Sequence, residues 1–219
     1  MRVLGLDPSL SQFGWALVEL SGPEGYAQCL SRGRLRAPAR NFPAFVQRYL
    51  HQRDELRTVI QEQKPDKVSI ESPIFGEMYS EGMYGLFLYC HEALLLEGMD
   101  AVHFSPGQTK ACARECIPRP PKWKMEKEDM VEAAKTVSGI KKSWNHNEAD
   151  AYWAAHLGAR FWLLREGAIQ EEHLGARERD LFLEIHKYMK GKKAGQTEYS
   201  GLLYREDDRF FLWSQLKEA

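Results

Sequence analysis

The sequence predicts an α/β fold, a mixed five-stranded sheet flanked by helices with an extra C-terminal segment. Three observations predict it. Residues 2–7 are almost continuously apolar, which suits a central strand buried on both faces. Phe42, Phe45, Val46, Tyr49, Leu56, Val59 and Ile60 recur at helical spacing between strand-like runs. The element order is three strands, a helix, a strand, a helix, a strand and then helices, a pattern of sheets covered by helices.

Each element has its own local cause. Pro8-Ser9 turns the chain after the first strand, and residues 14–20 read as a second. Ser21-Gly22-Pro23 is a loop and residues 26–36 make a third strand, so the short links imply an antiparallel meander. A helix over 42–63 stops at Lys64-Pro65-Asp66, and residues 67–71 form the fourth strand. Pro73, Gly76 and Gly82 make 72–82 loop-like. Met83, Leu86, Phe87, Cys90 and Leu94 mark a second helix, and residues 101–104 a fifth strand. Further helices begin near Ser105-Pro106, Met125 and Asn147, with Pro118 to Pro121 breaking the chain between the first two. On the last of them Ala151, Ala154, Ala155 and Gly158 form a small-residue stripe, which lets it lie close to the sheet. The first and fourth strands then stand as parallel neighbours. Residues 1–166 make up this unit. Residues 167–219 form an extension packed on it, with a helix through Leu181, Phe182, Ile185 and Met189 and an apolar stretch from Tyr199 to Trp213.

The 219 residues can bury a core without staples. Lys+Arg number 30 and Asp+Glu 31, so a nucleic-acid binder of this composition must gather its cations locally. No run of about 18 apolar residues is present to span a membrane. Met1-Arg2 leads straight into a strand, and the expected location is the cytoplasm. Cys112 and Cys116 are one helical turn apart with no second pair at zinc spacing. With Cys29 and Cys90 they read as reduced core thiols.

Three acids carry the chemistry. Asp7 ends Val3-Leu4-Gly5-Leu6-Asp7, Glu71 ends Val68-Ser69-Ile70-Glu71, and Asp150 sits in Asn147-Glu148-Ala149-Asp150-Ala151. Singly, an acid after a short strand is a turn or cap residue. Together, two strand ends and a helix can bring carboxylates into one cleft, and carboxylates that close repel unless a cation lies between them. Hard cations such as magnesium prefer such oxygens.

These pieces resemble the RuvC branch of the RNase H-like nuclease superfamily. The resemblance covers roughly residues 1–160 and rests on Gly5-Leu6-Asp7-Pro8-Ser9 with Gly14 downstream, Ile70-Glu71, and Glu148-Ala149-Asp150-Ala151. Lys110 in Gln108-Thr109-Lys110 and Lys124 look like family lysines. One departure stands out. Where the family often carries an Asp or His ligand three residues before its last aspartate, this chain has Asn147. Asn147 offers one neutral carbonyl oxygen or caps the helix, and His146 and Glu148 flank it as alternatives. The resemblance implies a homodimer that resolves four-way (Holliday) DNA junctions by paired symmetric nicks leaving 5′-phosphates. The site implies two Mg2+ ions about 4 Å apart, with Mn2+ able to substitute. Asp7 would bridge them, Glu71, Asp150 and Asn147 would complete their shells, and Lys124 would support the attacking water or the phosphate.

Contact with DNA is expected from Lys110, Arg119, Lys122, Lys124 and Lys127, with Trp123 stacking on a base or sugar. Phe75, one position off a family residue that wedges into the junction, either does so or packs in the core. The arginines of residues 32–57 read as a solvated face. Two other functions compete: a nuclease of the same superfold acting on flaps, branched DNA or hybrids, and a junction binder with weakened catalysis, which Asn147 motivates. A phosphotransferase of the actin-like superfold is set aside, because no glycine-rich phosphate loop follows.

Overall fold

Alternation along the first strand decides the layering. In the computed structural model, which describes residues 1–35, 45–72, 81–118, 123–183, 185–187, 197–199 and 202–213, strand β1 (Arg2–Asp7) is buried through its middle. Successive strand residues face opposite sides of a sheet. Leu4 and Leu6 enter one core cluster, with Leu56, Ile60, Leu86 and Leu94. Val3 enters the other, with Ala151, Ala155 and Met130. Two helical layers therefore sandwich the sheet.

On the first side lie α1 (Phe45–Gln63) and α2 (Glu81–Leu96). On the second lie α3 (Pro106–Arg114), α4 (Lys127–Val137) and α5 (His146–Arg165). Strands β2 (Gly14–Glu19) and β3 (Gln28–Arg34) complete the antiparallel meander with β1. Strand β4 (Lys67–Glu71) runs parallel to β1 with Leu6 opposite Ile70, and β5 (Ala101–Phe104) runs parallel to β4.

The sheet has seven strands rather than the five expected. The extension supplies a hairpin, β8 (Leu202–Glu206) and β9 (Arg209–Trp213), and β8 pairs antiparallel with β5, giving the order β3-β2-β1-β4-β5-β8-β9. The hairpin turns at Asp207 and Asp208, whose φ angles are 48° and 61°. Aspartate tolerates this left-handed region, and two such residues make the tight turn that matches strand twist. The helix expected through Met189 stops early. Helix α6 covers Ala176–Phe182, and Ile185–Lys187 is a strand, β6, paired with β7 (Thr197–Tyr199). Leu181, Phe182, Leu202 and Tyr204 of the extension lie in the same core cluster as α5.

The small-residue stripe has the consequence the sequence implied. A Cβ built on Gly5 would collide with the Ala151 carbonyl oxygen and meet the Ala155 Cβ at 2.7 Å. One built on Gly158 would meet the Ser69 Cβ at 2.5 Å, and one on Gly14 would strike the Asn147 backbone. Glycine on both surfaces thus lets α5 lie directly on β1, β2 and β4. No helix among the described residues is long and apolar enough to cross a membrane.

Candidate active site

Strand parity aims the acids. Asp7 shares its face of β1 with Val3 and Gly5, both turned toward α5. Glu71 shares its face of β4 with Ser69, which touches Gly158 of α5. Because β1 and β4 are parallel and in register, the two carboxylates emerge side by side at the strands' C-terminal ends. Asp150, one turn into α5, faces them from above.

Their electrostatics record the crowding. Burial, then Glu71, then Asp150 push the Asp7 carboxyl well above the usual carboxylate range. Burial and then Asp150 push Glu71 up to about 7, against a hydrogen bond from Thr109 Oγ1 to Glu71 Oε2 at 2.9 Å that favours its charge. Burial raises Asp150 to about 6, opposed by Lys110, Lys127 and His146. The Asp150 Oδ1 atom is buried with no hydrogen-bond partner. A buried orphan acceptor is costly, and oxygen donors crowded to the point of repulsion are the set a hard divalent cation takes. The residues present therefore fit such an ion. Among the described residues no three His, Cys, Asp or Glu side chains already stand as a finished cage.

The start of α5 settles which groups are otherwise engaged. Asn145, not Asn147, is the N-cap: its side chain accepts from the Asn147 amide at 2.9 Å. Asn147 donates its side-chain amide to the Gln12 carbonyl oxygen, which turns it toward the β1–β2 link. Glu148 pairs with Arg32 and accepts from the Asn145 backbone at 3.2 Å. It is thus tied to capping and to β3. His146 faces Asp150 electrostatically.

The lysines whose charges reach the acids are Lys110, acting on Glu71 and Asp150, and Lys127, acting on Asp7 and Asp150. The Lys124 side chain is 89% exposed and lies 3.6 Å from Glu126. Trp123 packs partly buried against the core. Arg119, Lys122 and Phe75 lie outside the described residues. In the 32–57 segment, Arg32 is spent on Glu148, Arg53 on Asp54 and Glu92, and Arg57 on Glu97. Sequence reasoning missed Thr109 as a partner of Glu71 and Gln12 as the anchor of Asn147. Thr109 stands beside Lys110 on α3 and was legible by position; Gln12 carried no local signal.

No family model matches the chain. Its sequence is 34% identical over 77 residues to crossover junction endodeoxyribonuclease RuvC of Chloroflexus aurantiacus, a stretch that is 35% of this chain and 44% of that protein. It is 35% identical over 77 residues to the RuvC of Chloroflexus aggregans, with the same coverage. The aligned stretch thus spans less than half the length of these curated relatives. Among solved structures, Thermus thermophilus RuvC in complex with Holliday junction substrate superposes with a TM-score of 0.60 at 18% identity, covering 76% of this chain and 97% of that one. A second Thermus thermophilus RuvC structure gives 0.59 at 19% identity with the same coverage. The chain is thus similar to RuvC proteins over this stretch of sequence, and its fold is similar to that of Thermus thermophilus RuvC.

Proposed function

We propose that the protein is a divalent-metal-dependent, structure-selective endonuclease that resolves four-way DNA junctions by paired symmetric nicks leaving 5′-phosphates. The observation that carries this reading is the convergence of Asp7, Glu71 and Asp150, from two parallel strands and a helix, into one mutually repelling cluster. Magnesium ions held there, with manganese able to replace them, would supply an ionised water and neutralise charge at the scissile phosphate. The chain's own residues do the rest. Thr109 fixes the rotamer of Glu71. Lys110 and Lys127 offset carboxylate charge and draw the DNA phosphate toward it. Asn147 is held by Gln12 through its amide nitrogen, which leaves its carbonyl oxygen as a neutral donor.

The protein is proposed to act as a homodimer, since a symmetric junction needs two sites and closed assemblies favour two-fold symmetry. Helix α2 supplies the surface: Tyr84, Leu88, Leu95 and Leu96 are exposed apolar residues on it. The test is cleavage of a mobile four-way junction in magnesium, mapped on a sequencing gel. Symmetrically placed, ligatable nicks on opposing strands are expected. Binding without cleavage would point to the weakened-catalysis reading that Asn147 motivates, and preferential cutting of flaps or hybrids to the other nuclease reading.

A further inference from the structure

We infer that helix α6 of the C-terminal extension is part of the substrate-binding surface and that Arg177 helps hold a DNA backbone phosphate next to the acids. This inference rests on the nuclease reading above and adds to it a role for residues beyond 166.

A cavity of about 350 Å³ opens between α3, the segment before α4, and α6. Its charged lining is Lys110, Arg114, Lys124 and Arg177, with no acid, and Gly107 leaves part of the wall without a side chain. The whole chain carries a formal net charge of −1, so four cations facing one space are segregated charge. Lys110 joins this cavity to the catalytic cluster, because its charge also acts on Glu71 and Asp150. A strand bound with a phosphate at the acids would pass Lys110 and could set a further phosphate in the cavity.

Two of the cations have acidic neighbours: Lys124 lies 3.6 Å from Glu126, and Arg177 lies 3.1 Å from Asp180 with its charge also acting on Glu115. Both pairs are exposed, and exposed pairs hold their partners weakly. A DNA strand, presenting successive phosphates with a bidentate fit to guanidinium, competes with them. The core contacts of α6 come from Leu181 and Phe182, and Arg177 is not among the core residues.

The experiment is equilibrium binding of a labelled four-way junction in calcium, across a salt series, for the full chain and for Arg177→Gln, Arg177→Glu and Arg209→Gln. Arg209, exposed on β9 away from the cavity, is the control. The glutamine variant is expected to bind about threefold to tenfold more weakly, with a salt slope shallower by about one. The glutamate variant should bind more weakly still, and the control should match wild type. Unchanged melting temperatures confirm that the fold is intact, and if Arg177→Glu alone unfolds, Arg177→Gln decides. Wild-type affinity and slope in Arg177→Gln, with the wild type binding and cutting the junction, would overturn the inference alone. A wild type that does not bind the junction would overturn both it and the nuclease reading.

Discussion

Substituting single carboxylates separates their two effects, on stability and on chemistry. A carboxyl whose folded pKa is raised contributes stability that is fully present below its unfolded pKa and is lost as pH rises through the folded value. For Glu71 and Asp150 that window runs from the ordinary carboxylate range near 4 up to about 7 and about 6. The metal-free protein should therefore lose stability across it. Magnesium should stabilise the wild type, and Glu71→Gln should abolish that gain while recovering about 1–3 kcal/mol at pH 8, both visible in melting curves. A magnesium-induced shift that survives Glu71→Gln would remove Glu71 from the ion's shell. The lysines give a second prediction. Lys127→Ala should slow cleavage more than Lys124→Ala, because the Lys127 charge acts on Asp7 and Asp150 whereas the Lys124 side chain is 89% exposed. Single-turnover rates on bound junction measure this directly, and the reverse order would place Lys124 rather than Lys127 at the reacting phosphate. The three acids were legible because each closes an apolar run or opens a small-residue helix. The placement of Lys127 near Asp7 and Asp150 was not, since which lysines approach the acids is a tertiary fact that no local pattern encodes.

Helix α5 is the element on which the site depends. Its stripe of small residues was visible in sequence, and so was Gly5. Their direct opposition was not, because register between a helix and a sheet is a tertiary fact. Adding one methyl at Gly5 would meet backbone that cannot give way. Gly5→Ala should destabilise the fold by about 3 kcal/mol or more and reduce cleavage out of proportion to any change in junction affinity, as α5 carries Asp150 away from Asp7. Denaturant titration with parallel nicking assays tests this, and a fully active, fully stable Gly5→Ala would contradict the close packing. The C-terminal hairpin shows the opposite limit of sequence reading. The aromatic stretch was seen, and the Asp207-Asp208 turn was there to be seen. The pairing of β8 with β5 joins Val102 to Tyr204 across the chain, and such non-local pairing leaves no local periodicity.

At the scale of the molecule, the fold divides labour between two faces. The α5 side buries tightly and holds the acids. The α2 side exposes Leu88 at 67% and Leu96 at 56%, an apolar stripe that a second copy would cover. Leu88→Glu should convert the protein to a monomer by light scattering while leaving it folded. It should also turn paired nicks into single ones, because each protomer then meets the junction alone. A wild type that is monomeric with and without junction DNA would refute the dimer. The central claim is that Asp7, Glu71 and Asp150 act as one metal-dependent cleavage site, and groups acting as a unit lose function together when any one is removed. The most direct measurement is four-way junction nicking in magnesium by wild type and Asp7→Asn side by side, with junction binding measured in calcium. The account predicts a rate lower by about 10³-fold or more for Asp7→Asn, with binding retained or tighter. An Asp7→Asn protein that nicks near the wild-type rate in magnesium would contradict it.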